Sequence, residues 1–142
     1  MANGKMFVSG SYANGASGPA VQSSVQVNSD GSLDLGFNAV IDHSLQAATT
    51  QADGKIIIGG QFATVGQTAR ARLARLNVDG TLDTGFNPVI VAASAAMFQL
   101  YSIAIQTDGK IIIGGQFDSV NGQIRKKYGA AECQWILGHK LC

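Results

Sequence analysis

Charge and cysteine are both scarce in this sequence of 142 residues. Ten Lys and Arg residues face nine Asp and Glu, a net charge of +1, so no broad field attracts nucleic acid or an anionic membrane. The only cysteines, Cys133 and Cys142, lie within the last ten residues, which excludes the disulfide framework of a small secreted domain. We therefore predict neither a nucleic-acid partner nor a membrane partner.

Long apolar runs are missing as well. The longest, IIIGG and VIVAASAAMF, fall short of the ~20 residues that a membrane helix needs. Residues 1–20 lack a basic start followed by a long apolar stretch, so they do not read as a signal peptide. As written, the sequence predicts a cytoplasmic chain. Its 46% of apolar residues are enough for a sizeable core in a chain of single-domain size.

One phrase occurs three times in the sequence. NGKMFVSGSYA, DGKIIIGGQFA and DGKIIIGGQFD align on Lys5, Lys55 and Lys110, at spacings of 50 and 55 residues. A second element, VQVNSDGSLDLGFNAVI at 25–41, returns as ARLNVDGTLDTGFNPVI at 74–90, an offset of 49. A period of about fifty residues indicates a repeat architecture, in which each unit is one supersecondary structure.

Each unit has the pattern of β-structure. KIIIGGQF is rich in β-branched residues and too short for a typical helix, and a run that is apolar on both faces suits a strand buried between two sheets. Asp-Gly pairs flanked by apolar runs predict two-residue hairpin turns, in which both central residues accept positive φ. These pairs begin at Asp30, Asp53, Asp79 and Asp108. Each unit is then about two hairpins, or four short strands.

Paired glycines interrupt two of the predicted strands, at Gly59-Gly60 and at Gly114-Gly115. A missing side chain at such a place predicts a β-bulge or the close approach of a neighbouring sheet. Helical spacing is weak throughout the repeats, so we predict an all-β fold.

Four-stranded units of about fifty residues suggest the blades of a β-propeller. The phrase Q-x-D-G-K-I-I-I-G-G-x-F, followed by R-L-A-R-L-N-x-D-G-T-L-D-x-G-F-N-P, closely resembles the delta-sixty type β-propeller repeat of large bacterial surface and secreted proteins. The resemblance covers roughly residues 4–123. It implies blades of four antiparallel strands and an interaction or scaffold function, and it brings no catalytic residues to transfer.

The repeats divide residues 1–123 into blade units at about 4–41, 54–90 and 109–123, the last of them partial, and leave 124–142 as a tail without repeats. Propellers typically close with about 4 to 8 blades, so two complete blades leave sheet faces and edges uncovered. We predict a ring completed by homo-oligomerisation. A trimer with six blades is favoured, and a dimer with five blades is the alternative.

Two polar patterns lie inside the repeats. N-x-D-G-x-L-D at 28–34 and 77–83 places carboxylates in turns as calcium loops do, but without the twelve-residue ligand series and its terminal Glu. Turns closed by the Asp side chain are therefore the favoured interpretation. Arg70, Arg72 and Arg75 in ARARLAR are suited to hold a phosphate or carboxylate, and a solvated strand edge is the simpler interpretation.

The tail supplies the metal-ligand chemistry of the sequence. Cys133, His139 and Cys142 offer thiolate and imidazole, which suit Zn²⁺, although their spacing fits no standard zinc motif. His43, which follows Asp42 between two units, is a fourth candidate ligand, because a symmetric assembly brings one residue from every copy to a shared axis. Zinc is the only cofactor that these residues suggest.

Two functions from different classes remain at this point. The first is a non-catalytic repeat module that assembles into a closed ring and presents a loop-lined face to a protein or carbohydrate. The second is a small metal-dependent hydrolase of activated phosphate or ester substrates, with its site at the subunit interface. The absence of any recognised catalytic motif from the sequence favours the first.

Overall fold

The computed structural model describes residues 4–13, 20–37, 39–124 and 133–137. Apart from one short 3-10 helix at Ala95–Met97, the regular elements in these residues are β-strands, so the all-β prediction is confirmed for them. The strands are β1 Met6–Ala13, β2 Ala20–Val27, β3 Leu45–Thr50, β4 Ile56–Gly60, β5 Thr64–Val65, β6 Thr68–Ala69, β7 Leu73–Leu76, β8 Ile90–Val91, β9 Gln99–Ile105, β10 Ile111–Gln116, β11 Ser119–Val120, β12 Gln123–Ile124 and β13 Cys133–Leu137. No helix among the described residues is long and apolar enough to cross a membrane.

The middle repeat forms the most complete sheet, which we call blade 2 (residues 45–82). β4 lies between β3 and β7, and both neighbours are antiparallel to it. A single bridge then joins Leu76 to Leu82, so this blade has three strands and one bridge where four strands were predicted. The run Ile56–Ile58 is fully buried, because the sheet is covered on both faces, as the absence of polar alternation predicts.

The flanking repeats form shorter versions of the same sheet. Blade 1 (4–13 and 20–37) pairs β1 with β2 in the register of β4 and β7, with Met6 opposite Val27. On the other side of β1 the described residues provide no strand. Blade 3 (99–124 and 133–137) places β10 between β9 and β13.

β13 comes from the part of the sequence without repeats, yet it lies beside β10 as β7 lies beside β4. The sheet of blade 3 therefore extends beyond the last recognisable repeat motif. The unit boundaries at 4–41, 54–90 and 109–123 remain predictions.

Because the repeats align, each residue has equivalents in the other blades. β1 matches β4 at a spacing of 50 residues, the second elements match at 49, and β3 and β4 match β9 and β10 at 55. The isoleucine run of β4 alternates between two clusters that fill the spaces between blades. Ile56 and Ile58 enter the first interblade core, which blades 1 and 2 share, and Ile57 enters the second, which blades 2 and 3 share.

The Asp-Gly turns differ from the prediction in one respect. In the turn at 51–55, the N–H of Gln51 donates to the carbonyl of Lys55 and the N–H of Gly54 donates to the carbonyl of Gln51. Gly54 has a φ of 87°, but Asp53 keeps a negative φ. The loop therefore has three residues, a type I turn ending in a left-handed glycine, and the prediction of two-residue turns is wrong. The turns that contain Gly31, Gly80 and Gly109 share these hydrogen bonds.

The glycine pairs confirm the predicted β-bulges, and Gly59 also confirms the close approach of a neighbouring sheet, because a Cβ built on it would lie 1.9 Å from Leu100 Cδ2 in blade 3. A Cβ built on Gly60 would lie 2.2 Å from the carbonyl oxygen of Ser44, and one on Gly115 would lie 2.1 Å from that of Gln99. The strand register shifts at both places, between Leu45 and Ala47 and between Gly114 and Gly115, as β-bulges require. Only a residue without a side chain allows the backbones to come this near.

Candidate functional site

The carboxylate of Asp83, directly after blade 2, binds two cationic side chains of that blade. Asp83 Oδ2 accepts hydrogen bonds from Lys55 Nζ at 2.7 Å and from Arg75 Nε at 2.9 Å. Its other oxygen, Oδ1, accepts the N–H of Gly85 at 3.0 Å. The guanidinium of Arg75 also lies over the ring of Phe86, 4.8 Å from the ring centroid. We call Lys55, Arg75 and Asp83 the clasp.

The other blades contain parts of the same arrangement. In blade 1 Lys5 binds Asp34 at 2.6 Å, but Gln26 takes the position of Arg75. Gln26 is 1% exposed, and neither its side-chain oxygen nor its nitrogen has a hydrogen-bond partner. In blade 3 Lys110 binds Asp108 of its own turn at 2.5 Å, because no L-D-x-G-F phrase follows it in the sequence.

The clasp makes the stability of blade 2 dependent on pH. The hydrogen bond from Lys55 and then that from Arg75 lower the pKa of Asp83 to about 2, against the opposing effect of burial. A carboxylate with a depressed folded-state pKa stabilises the fold fully above its unfolded pKa of 3.8, and this contribution disappears as the pH falls through about 2.

We expect Asp83→Asn to lower the free energy of unfolding at pH 7 by about 1 to 2 kcal/mol and to flatten its acid dependence. Urea denaturation between neutral pH and the acid limit measures both effects. Asp53→Asn is the matched control, because Asp53 accepts only the N–H of Lys55 and Asn suits the same turn. Equal losses in the two variants, or an unchanged acid profile in Asp83→Asn, would show that the clasp does not stabilise the fold.

The turn aspartates use their oxygens within the turn itself. Asp79 Oδ1 accepts hydrogen bonds from the N–H and the hydroxyl of Thr81, at 3.0 and 2.7 Å, and Asp30 binds Ser32 in the same way. The Thr81 hydroxyl, followed by its N–H, lowers the pKa of Asp79. The favoured interpretation as side-chain-closed turns is confirmed.

The three arginines of ARARLAR have three different environments. Arg75 belongs to the clasp. Arg72 Nη1 donates to the carbonyl of Ile90 at 2.9 Å, and its guanidinium lies 5.1 Å from the ring centroid of Phe98, so it connects blade 2 to the segment that leads into blade 3. Arg70 is only 6% exposed, and its Nε and Nη1 have no hydrogen-bond partner. The arginines therefore form neither one shared anion site nor a solvated strand edge.

A glutamine makes a second polar connection between blades 2 and 3. Gln46 Nε2 donates to Gln99 Oε1, and Gln46 Oε1 accepts the N–H of Leu100, both at 2.9 Å. Both polar atoms of the Gln46 amide therefore have a hydrogen-bond partner at a partly buried position. These two bonds help to fix the position of blade 3 relative to blade 2.

Two of the four predicted zinc ligands, His43 and Cys133, lie within the described residues. His43 is exposed and its Nδ1 accepts the N–H of Ser44 at 3.0 Å. Cys133 belongs to β13, opposite Gly115, while His139 and Cys142 lie outside the described residues. Within the described part of the chain, no three His, Cys, Asp or Glu residues come together to hold a metal ion.

Asp42 and His43 do not form a pair, as the alternating directions of adjacent side chains predict. Asp42 Oδ1 accepts the N–H of Ala63 at 3.0 Å. Burial opposes the ionisation of Asp42, but hydrogen bonds from Thr64 and Ala63 outweigh it and lower the pKa. Asp42 and His43 thus each accept a backbone hydrogen bond, and both lie in the connection between blades 1 and 2.

Blade 1 has an apolar sheet face that no described residue covers. We call it the front face, formed by Met6, Val8, Val25 and Leu33, with exposures of 55%, 43%, 36% and 58%. All four equivalents in blade 2 contribute to the first interblade core: Ile56, Ile58, Ala74 and Leu82.

Blade 3 has the opposite face uncovered, which we call the rear face (Tyr101 and Ile112). Tyr101 is 51% exposed and Ile112 is half-buried. Their equivalents in blade 2 are Gln46, which binds Gln99, and Ile57, which is fully buried in the second interblade core. The front face of blade 1 and the rear face of blade 3 are therefore equivalent to the two sides of the contacts that join blade 1 to blade 2 and blade 2 to blade 3.

Sequence reasoning missed the clasp and the two end faces. The signal for the clasp was present, since the Lys of N-G-K or D-G-K and the second Asp of D-G-x-L-D recur together in the first two units. The end faces follow only once the registers show which side of each strand meets the next blade.

Consecutive antiparallel blades with shared interblade cores define a repeat protein of the β-propeller class. The sequence model of one family, described as "Domain of unknown function (DUF5122) beta-propeller", matches residues 2–37, 51–86 and 106–127, roughly two thirds of the chain. The chain belongs to this family, and the predicted resemblance to a bacterial β-propeller repeat is confirmed. Neither the curated proteins nor the solved structures compared with it gave a match.

Proposed function

We propose that this chain is a non-catalytic propeller module that assembles with copies of itself, the front face of one copy packing on the rear face of the next. The observation that carries the proposal is the equivalence of these faces to the two sides of the existing interblade contacts. An exposed apolar face of this kind is a typical site of association.

The contact is heterologous, because two different faces of the same chain meet. Such contacts close into a ring when the rotation between neighbours divides a full turn, and they otherwise continue into a filament. The twist between blades of a propeller favours closure. Each copy contributes blades 1, 2 and 3, so two copies joined in this way give a six-bladed ring. Three copies would give nine blades, more than the about 4 to 8 of a typical propeller, so the dimer replaces the trimer as the favoured assembly.

The open edge of β1 supports the same arrangement. In blade 2 the corresponding edge of β4 is occupied by β3, and an unpaired edge is a template for a further strand. Gly10, the equivalent of Gly60, has nothing within 4 Å of a Cβ built on it. A strand of a second copy beside β1 completes blade 1 and restores the close contact that Gly60 makes.

The assembled ring presents its loops on one side to a protein or carbohydrate ligand. Loops held by a rigid scaffold are common binding elements, and the Asp-Gly turns of successive blades lie at corresponding positions. This ligand class follows from the architecture alone. The metal-dependent hydrolase remains the alternative, with zinc bound by His43, Cys133, His139 and Cys142 across subunits.

Val8→Lys should abolish assembly, because it places a charge at the centre of the front face. We expect light scattering to give the mass of a single chain for this variant and a multiple of it for the unmodified protein. Val8 is 43% exposed in the single chain, so the Lys reaches water and the fold is retained.

Leu35→Lys is the control for this experiment. Leu35 is 92% exposed, but its equivalent, Thr84, lies outside both interblade cores, so this variant should assemble normally. An unchanged particle mass in Val8→Lys, or an equal loss of assembly in both variants, contradicts the proposed contact.

A further inference from the structure

Arg70 is a buried cation for which the described part of the chain provides no counterion. It is 6% exposed, and Nε and Nη1 are both enclosed and without a hydrogen-bond partner. The ion pairs among the described residues involve Lys5, Lys55, Arg75 and Lys110, and none of them reaches Arg70. Its two neighbours in the arginine cluster, in contrast, have partners inside the protein.

This state is costly for a residue that cannot lose its charge. The guanidinium of Arg stays protonated at every physiological pH, and burying a charge without a partner costs several kcal/mol in proteins generally. Lys can neutralise itself when buried, but Arg needs an anion. The unpaired donors of Arg70 therefore point to a group that is not part of the described chain.

The third repeat indicates the chemistry of this group. Arg70 follows the β5–β6 hairpin, and its N–H donates to the carbonyl of Ala63 at 2.9 Å, one residue beyond the pair of Thr64 and Ala69. Ala63 and Arg70 are thus directly opposite, on the same face. In the third repeat, 55 positions later, the sequence has Asp118 and Arg125 at these places.

The repeats thus differ in one respect that matters here. At the position equivalent to Ala63 the sequence of the third repeat has the carboxylate of Asp118, whereas the second repeat has only a methyl group. Arg125 lies outside the described residues, so the comparison rests on the sequence at that position. Asp42 Oδ1 accepts the N–H of Ala63, and the ion pairs among the described residues include none between Asp42 and Arg70.

We propose that Arg70 anchors a site for a small oxyanion, a phosphate or a carboxylate, beside the β5–β6 hairpin of blade 2. The anion occupies the place that the Asp side chain has in the third repeat. Its source is either a free anion or a carboxylate of a second copy of this chain. The proposal holds whether or not the ring closes.

Inorganic phosphate and acetate are the probes, each compared with chloride at equal ionic strength. For the full chain, we expect phosphate or acetate to raise the unfolding temperature by on the order of 5 °C at saturation. Arg70→Met should lose this gain. Ala63→Asp should also lose it, but from a higher starting temperature, because the new carboxylate pairs with Arg70 directly.

Arg72→Met is the matched control, since the Arg72 guanidinium is bound to the carbonyl of Ile90. This variant should be less stable but should keep the gain from phosphate. Retention of the full gain in Arg70→Met overturns the proposal. So does a decrease in stability of Ala63→Asp, which does not depend on whether Arg70→Met folds.

The particle mass distinguishes the two sources of the anion. If the carboxylate belongs to a second copy, Arg70→Met lowers the mass measured by light scattering and Ala63→Asp does the same, because its own carboxylate competes. If the anion is free, both variants keep the mass of the unmodified chain. An Arg70→Met variant with unchanged mass and unchanged response to both probes refutes the site.

Discussion

Gly60→Ala should lower the free energy of unfolding by about 3 kcal/mol or more, a large part of the total stability of a small domain. The new Cβ would lie 2.2 Å from the carbonyl oxygen of Ser44 and 2.9 Å from the Cα of Leu45. Both are backbone atoms of the paired strand, which cannot rotate away as a side chain can. Urea denaturation followed by circular dichroism measures the loss.

Gly10→Ala is the matched control, because Gly10 has the same repeat position on β1. No atom lies within 4 Å of its added Cβ, and Ala is about 0.5 to 1 kcal/mol better than Gly inside a strand, so the single chain should not be destabilised. Both variants are measured in the Val8→Lys background to keep the copies apart. Without Val8→Lys, Gly10→Ala should reduce assembly, since a strand of a second copy meets the new methyl group.

A loss of stability in Gly10→Ala equal to that in Gly60→Ala would contradict the open edge of β1. It would show that a strand already covers this edge within the single chain.

Ile57→Ala should cost about 2 to 5 kcal/mol in the free energy of unfolding, the usual range for a large aliphatic side chain removed from a core. Ile57 is fully buried in the second interblade core, where it packs with Leu73 and Leu100 among others. The substitution leaves a cavity between blades 2 and 3. The hydrogen-bonded strands on both sides of it hold their positions, so the cavity stays largely unfilled. Thermal and urea denaturation of the purified variant measure the effect.

Ile112→Ala is the corresponding control, because Ile112 has the position of Ile57 in blade 3 but is only partly buried. In the Val8→Lys background we expect a clearly smaller loss than for Ile57→Ala. In the unmodified chain the same substitution should weaken assembly through the rear face. Equal losses in the single chains would mean that blade 3 is covered on both sides, which contradicts the proposed interface.

The repeat phrases carried most of the information about the fold. The run Ile56–Ile58 predicted a strand buried on both faces, and the glycines that follow it predicted the close backbone approach at Gly60. Both are local properties of the chain. The loop length of the Asp-Gly turns was predicted wrongly, because the same dipeptide suits two turns that differ only in the φ of the Asp.

The polar contacts depend on residues that are distant in the sequence, and the pattern could not assign them. Arg70, Arg72 and Arg75 look alike in ARARLAR, yet Arg72 binds a carbonyl 18 residues later, Arg75 binds Asp83, and Nε and Nη1 of Arg70 have no hydrogen-bond partner. The strand β13 was not predicted either, because residues 133–137 repeat no earlier phrase, although they pair with β10. The sequence repeats predict the structural features that every unit shares, and they do not predict contacts that occur in one unit only.

The mass of the unmodified particle, measured by native mass spectrometry, tests most directly whether copies of this chain complete one another. The account predicts one discrete closed species of two chains of 14.7 kDa each, which together supply six blades. A single chain of 14.7 kDa at every protein concentration, with the front face of blade 1 still accessible to solvent, would contradict it.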